Sequence, residues 1–293
     1  MTGTDLAGVF APITTPFDAA SGDVSQQHLQ DNVTRLLADG LDGIVVAGST
    51  GEAPLLDADE QRRAVAWTRA VTPKAKWLVV GTGAESTRQA IALTRGAAAE
   101  GADAVLVRPP SYFPAVAARA LANYYRAIAD ASPVPVLVYN IPKYTHVSLP
   151  AELLQELSTH TRVVGVKDSS GDLKNLAAYR EAAPQWAVFV GSASLLLPAL
   201  ELECDGGIMA VACFAPRLCA DLLAAFHAGD RAAATALQDR LVPLDKEIVS
   251  KLGPAGVKAA MDAVGLYGGP PRPSLAPVGA AERERVALLV RSD

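Results

Sequence analysis

Three short stretches combine residue types suited to covalent carbonyl chemistry. VVGVKDSS (163–170) puts Lys167 at the end of an apolar, β-branched run, GSTGE (48–52) is a glycine-rich turn carrying Ser49 and Thr50, and YNIP (139–142) opens on Tyr139. A strand core normally excludes an unpaired ammonium group, because burying one is costly. Loss of hydration disfavours the charged form of a lysine, and the neutral amine attacks a ketone to give a Schiff base. That imine is an electron sink for making or breaking the adjacent C–C bond. Each signal also has a bland reading when taken alone. Lys167 can be a strand-terminal lysine reaching to solvent, GSTGE a plain strand-to-helix turn, and Tyr139 a half-buried aromatic. A glycine-rich turn opening a helix exposes N–H groups suited to a carboxylate or phosphate. The GxxxxGK[ST] spacing of a P-loop is absent.

What brings the three together is the order of elements. Eight β-branched, apolar runs recur, at 8–17, 43–50, 76–83, 104–110, 134–142, 163–170, 186–193 and 206–213. Most are continuous rather than alternating, as parallel strands covered on both faces are. Between them stand helix-start signals: Asp57 with Glu60 and Ser86 with Gln89 fit capping boxes, and Pro114, Pro150 and Pro216 suit first turns. Eight strand–helix repeats predict an α/β fold, a (β/α)8 TIM barrel, in preference to an open doubly wound sheet. Residues 1–229 are assigned to the barrel and 230–293 to a C-terminal helical region packed on it, with helices at 231–252, 254–264 and 279–291. Catalytic groups of such barrels occupy the C-terminal strand ends. Lys167 then ends the sixth strand, Tyr139 the fifth, and Ser49–Thr50 follow the second. Gly165, two residues before Lys167, faces the same way and is expected to leave room beneath it.

Composition narrows the chemistry further. The chain has 293 residues, of which 50% are hydrophobic and 19% charged, with a net charge of -5. That balance gives no electrostatic case for nucleic acid or an anionic membrane. No apolar run approaches the ~20 residues of a membrane span. Cys204, Cys213 and Cys219 form no CxxC pair and fit reduced, buried residues, and the N-terminus lacks a signal-peptide pattern. The expectation is a soluble, cytoplasmic protein. No histidine stands at a strand tip, and no His and carboxylate residues share metal-ligand spacing, so neither a Ser-His-Asp relay nor a metal site is expected. A phosphosugar-binding barrel would use GSAS (191–194) as its anion site, but AVACFAP (210–216) lacks the paired glycine motif that completes one.

With GSTGE, YNIP, VGVKDSSGD (164–172), GADAVLVRPPSYF (101–113) and YGGPPRPSL (267–275), the chain resembles the dihydrodipicolinate synthase / N-acetylneuraminate lyase family of pyruvate-dependent class I aldolases. The resemblance runs along essentially the whole chain. It implies that Lys167 forms the Schiff base with pyruvate, without cofactor or metal, and that Ser49 and Thr50 hold the pyruvate carboxylate. It makes Tyr139 the general acid/base, in a hydroxyl relay with Thr50 and Tyr112, the last reaching into a neighbouring subunit. A homo-oligomer follows, a tetramer built as a dimer of dimers. Gly191 and Ile208 would line the pyruvate pocket, with Asp168 and Ser169 near the second substrate.

One position departs from the family pattern. Dihydrodipicolinate synthases place an arginine two residues after the YNxP proline, to grip the carboxylate of aspartate semialdehyde, and Tyr144 stands here, with Lys143 beside it as a point charge. A tyrosine offers no bidentate cationic fork. GTGAESTRQA (81–90) and LGPAGVKAAMDAVGLYGGPPRPSL (252–275) are most similar to the 4-hydroxy-2-oxoglutarate aldolase branch, which splits its substrate into pyruvate and glyoxylate. The resemblance therefore implies that aldolase, with dihydrodipicolinate synthase or a sialic-acid or 2-keto-3-deoxy-sugar-acid lyase as alternatives.

Overall fold

The computed structural model describes residues 6–113 and 117–291. Eight parallel strands close into a barrel in chain order: β1 (Gly8–Pro12), β2 (Gly43–Val46), β3 (Trp77–Gly81), β4 (Ala104–Val107), β5 (Val136–Asn140), β6 (Val163–Asp168), β7 (Ala187–Val190) and β8 (Gly206–Ile208). Around them lie α1 (Gln26–Ala38), α2 (Ala58–Val71), α3 (Thr87–Ala99), α4 (Ala118–Ala131), α5 (Pro142–Thr145), α6 (Ala151–Leu157), α7 (Leu173–Ala182), α8 (Leu196–Glu201) and α9 (Pro216–His227). α10 (Arg231–Leu244), α11 (Lys251–Ala263) and α12 (Ala280–Arg291) complete the chain. The chain is therefore a (β/α)8 barrel with added C-terminal helices. Each strand is shorter than its apolar run, because the last residues of each run have already left the sheet for the mouth.

Two-residue alternation sorts each strand between two cores. Phe10, Val45, Val79, Leu106, Leu137, Tyr139, Phe189 and Ile208 fill the barrel interior, where Phe10 and Phe189 meet edge to face. Val9, Ile44, Leu78, Val105, Val138, Val166 and Val188 face the helices. Both faces are thus apolar, which is why the strands read as unbroken hydrophobic runs.

Local signals fix the helices. Asp57 and Glu60 form a reciprocal capping box at α2, and the Ser86 side chain caps α3 through the Gln89 N–H. Pro216 is the first residue of α9, where its missing N–H costs nothing. Pro150 sits one residue before α6, and Pro114 lies outside the described residues. The expected 231–252 helix is interrupted: a π-helical stretch at Asp245–Ser250 joins α10 to α11, and Gly253 breaks α11 with φ 61 and ψ -148, a conformation open only to glycine.

The space beneath Lys167 is not empty, contrary to the expectation for Gly165. A Cβ there would stand 2.3 Å from the Ala187 carbonyl oxygen and 2.7 Å from Leu137 Cδ2. Gly165 lets β7 and Leu137 close in rather than leaving a void. Just before it, the register with β5 shifts: Val136 pairs with Val163 but Leu137 with Gly165, so Val164 is an extra, bulged residue. The bulge puts Gly165 and Lys167 on the interior face.

Candidate active site

Lys167 and Tyr139 are register partners on β6 and β5, and both face the barrel interior. The lysine is 4% exposed and the tyrosine 5%. Lys167 Nζ donates to the Tyr139 hydroxyl at 3.2 Å and lies 4.3 Å from its ring centre. Phe189 on β7 flanks the lysine on its other side. An amine and a phenol in contact, in an apolar chamber, can form an imine and move a proton beside it. Ile208, 1% exposed, belongs to the same interior cluster.

Asp168 departs from its expected role. It follows Lys167 directly, so it faces the helix layer instead of the interior. Its carboxylate, 2% exposed, accepts from Asn140 Nδ2 at 2.6 Å and from the Ser170 hydroxyl at 2.5 Å. Burial pushes the Asp168 carboxyl above its ordinary range, and those hydrogen bonds pull it back in part. The Asn140 side-chain oxygen in turn accepts from the Leu149 N–H at 3.1 Å. Asp168 is a clasp between β5 and β6 that keeps Tyr139 and Lys167 in register. Ser169 and Gly191 are neighbours: a Cβ on Gly191 would lie 1.9 Å from Ser169 Oγ, so the space beside that glycine is already filled by the serine hydroxyl.

The GSTGE turn does not open onto α2 as expected. It leads into a 3-10 turn at Ala53–Leu55, and α2 starts only after Asp57. Left-handed residues stand at both ends of the turn, Ala47 with φ 54 and Glu52 with φ 57. Gly81 on β3 permits its close approach, since a Cβ there would meet the Ala47 carbonyl oxygen at 2.0 Å. Thr15, just past β1, donates its hydroxyl to the Gly51 carbonyl at 2.5 Å. Glu52, 2% exposed, forms an ion pair of 2.6 Å with Lys258 of α11. Ser49 and Thr50, between these anchors, are half-buried.

A cavity of about 560 Å³ opens at this end of the barrel, with Ser49, Tyr139, Tyr144, Arg108, Glu85 and Pro254 among its walls. Tyr139 is the wall through which the cavity meets Lys167. Tyr144, on α5, is 46% exposed, and burial of its inner part raises its phenol above the usual range, with Tyr139 adding to the effect. Lys143 stands beside it as a point charge, Nζ 5.6 Å from the Tyr144 ring centre, and is held there by donating to the Ser250 carbonyl at 2.9 Å.

Tyr112 lies outside the site of its own chain, 78% exposed and packed edge to face on Phe113. The loop that carries it is pinned by Glu85, which accepts from the N–H groups of Ser111 and Tyr112 at 2.9 Å each and from Arg108 at 3.0 Å. Burial alone would raise the Glu85 carboxyl. The N–H groups of Tyr112 and Ser111, the Ser111 hydroxyl and Arg108 outweigh it and hold the group at about 2.

Of the sequence candidates, Ser49, Tyr139 and Tyr144 line this cavity, Lys167 touches Tyr139, Ile208 shares its interior cluster, and Thr50 follows Ser49 on the turn; Asp168 turns away and Tyr112 projects outward. Sequence reasoning did not single out Asn140, Glu52, Thr15 or Lys258. Asn140 and Glu52 lie inside the quoted motifs, and the available signal for Lys258 is its place as a lone cation within the apolar segment GVKAAM. Among the described residues, no group of His, Cys, Asp and Glu could hold a metal ion, and no helix is long and apolar enough to cross a membrane.

Comparison with known proteins adds four likenesses. A model of the dihydrodipicolinate synthetase family matches residues 5–292. The chain is 36% identical over 273 residues to a 4-hydroxy-tetrahydrodipicolinate synthase of Methanothrix thermoacetophila, covering 92% of this chain and 91% of the relative. Its structure is similar to dihydrodipicolinate synthase DapA-2 of Bacillus anthracis, with a TM-score of 0.95, 29% identity, and 100% and 99% of the two chains covered. It is also similar to YagE, an Escherichia coli K12 prophage protein solved with pyruvate, with a TM-score of 0.93, 25% identity and 98% of each chain covered. None of these likenesses supports the narrower resemblance to 4-hydroxy-2-oxoglutarate aldolases.

Proposed function

The chain belongs to the dihydrodipicolinate synthetase family and is a class I lyase, and on that premise we propose that it cleaves a 4-hydroxy-2-oxo acid, 4-hydroxy-2-oxoglutarate, to pyruvate and glyoxylate through an imine on Lys167. The observation that carries the reading is the 3.2 Å contact of Lys167 Nζ with the Tyr139 hydroxyl inside an apolar barrel mouth.

The neutral amine of Lys167 adds to the C2 ketone, and loss of water gives the imine. Tyr139 takes the proton of the C4 hydroxyl as the C3–C4 bond breaks, and the bonding pair moves into the imine to leave an enamine and the aldehyde. Return of a proton to C3 and hydrolysis by water release pyruvate and the free lysine. Ser49 and Thr50 hold the C1 carboxylate through N–H and hydroxyl groups, and Ile208 and Gly191 border the pyruvate unit. Tyr139 passes its proton on through the hydroxyls of Thr50 and of Tyr112 from a neighbouring subunit. The outward aim of Tyr112 supports that last role, and with it a dimer at least. The pyruvate complex of YagE supports the pyruvate half.

The choice of aldehyde rests on Tyr144, which borders the cavity where the synthases carry an arginine. Condensation of pyruvate with aspartate semialdehyde is the second reading, favoured by the name of the Methanothrix relative. A condensation panel with glyoxylate, aspartate semialdehyde, N-acetylmannosamine and glyceraldehyde separates them. The highest kcat/KM is expected with glyoxylate. A strong preference for aspartate semialdehyde would overturn the assignment.

A further inference from the structure

We infer that the buried Glu52–Lys258 pair is a positioning device, by which the C-terminal segment holds the Ser49–Thr50 turn in the shape that receives the substrate carboxylate. This rests on the reading of that turn as the carboxylate seat.

The pair is nearly sealed from water, with side chains 0% and 1% exposed and 2.6 Å between Oε1 and Nζ. Its remaining polar partners all come from the C-terminal segment: Lys258 Nζ donates to the Pro270 carbonyl at 2.7 Å, and Glu52 Oε2 accepts from the Arg272 N–H at 2.8 Å. Arg272 then grips Glu60 of α2 with two bonds of 2.7 Å. The ring of Phe17 lies between the two cations, 4.4 Å from Lys258 Nζ and 4.2 Å from Arg272 Cζ. Glu52 is thus held from two sides, by Lys258 and by the Arg272 N–H.

A buried ion pair is a poor source of stability, since apolar residues of similar volume are often as good or better. What this pair does provide is a fixed point. Glu52 sits in the left-handed region, which a residue with a Cβ enters only at a cost. Its backbone N–H donates to the Ser49 carbonyl at 3.1 Å and the next N–H, of Ala53, to the Gly48 carbonyl at 3.2 Å. Those two bonds close the turn around Ser49 and Thr50. If Glu52 relaxes to an ordinary φ, they open, and the N–H groups of the turn lose their common direction. Through Glu52 the C-terminal segment bears on the shape of the turn at the barrel mouth.

The variants are Glu52→Gln, Lys258→Met and the two combined. Each is titrated with pyruvate under borohydride trapping, beside a thermal unfolding curve. The singles strand a buried charge or acceptor and lose stability. The double variant removes both charges, regains stability, and keeps the experiment readable if a single variant does not fold. Expected in every folded variant is the same Lys167 adduct at saturating pyruvate, with half-saturation raised about tenfold or more, the equivalent of one lost hydrogen bond to a charged group. A purely structural pair would move the unfolding curve and leave half-saturation alone. Half-saturation in the folded double variant within about twofold of the native protein overturns the inference. Absence of any adduct on the native protein removes the premise of the carboxylate seat, and the inference with it.

Discussion

Replacing Tyr139 with phenylalanine removes one oxygen and leaves the ring in place. The ring belongs to the interior cluster and is 5% exposed, so its packing against the barrel core survives. What disappears is the acceptor 3.2 Å from Lys167 Nζ. One intramolecular hydrogen bond of this kind is worth about 1 kcal/mol, so denaturant unfolding should shift by no more than about 1.5 kcal/mol. The lysine keeps its amine and its neighbours on β5 and β7, so borohydride should still trap a pyruvyl group at saturation. Turnover should suffer far more, because no other phenol touches Nζ among the described residues. A positioned general acid/base contributes roughly 10²–10⁴-fold, which is about 3 to 5 kcal/mol of barrier. The expected result is therefore a kcat for aldol cleavage down by about two to four orders of magnitude in a folded, imine-competent protein. A kcat within about threefold of the native value would refute the assignment of Tyr139 as the proton-transfer group.

Three further perturbations test neighbouring parts of the account. Gly165→Ala drives a Cβ to 2.3 Å from the Ala187 carbonyl oxygen, so β6 must shift, and overpacking of this kind costs about 1–3 kcal/mol in denaturant unfolding; a loss below about 0.5 kcal/mol would show that the strands yield. Glu85 has a depressed folded value of about 2, so the hold of its loop on Tyr112 is present above its unfolded value and lost as pH falls through the folded one. Fluorescence of the native protein should accordingly report release of that loop between about pH 4.5 and about pH 2, a step absent in Glu85→Gln; an identical profile in both would contradict the account. Tyr144→Arg supplies a cationic fork at that position, where Arg108 in the same cavity wall is already paired with Glu85, and should raise kcat/KM for aspartate semialdehyde by about tenfold or more relative to glyoxylate; no change in that ratio would remove Tyr144 from acceptor selection.

Much of this architecture was legible from residue types, and the reasons are physical. A parallel barrel covers both faces of each strand, so β2 as GIVV and β4 as AVLV stand out as unbroken apolar runs. Asp57 and Glu60 mark the start of α2 because the capping box needs those two side chains at that spacing. The candidate site was legible only where a residue lay on its own strand end, as Lys167 and Tyr139 do. The clasp role of Asp168 is not visible in the motif, because adjacent strand residues alternate, so Lys167 and Asp168 do not share a face, and its partner Asn140 lies on the neighbouring strand. The filling of space beside Gly165 depends on Leu137 and on the backbone of β7, which no local pattern records. The same holds for Lys258 and Glu52, which meet only when α11 folds back over the GSTGE turn.

The most direct test of the central claim is borohydride reduction of the protein in the presence of pyruvate, followed by mass measurement of the intact chain and of its peptides. The account predicts one reduced pyruvyl group per chain, located on Lys167 and absent from Lys167→Ala. An unmodified native chain, or an adduct on another lysine that persists in Lys167→Ala, would contradict it.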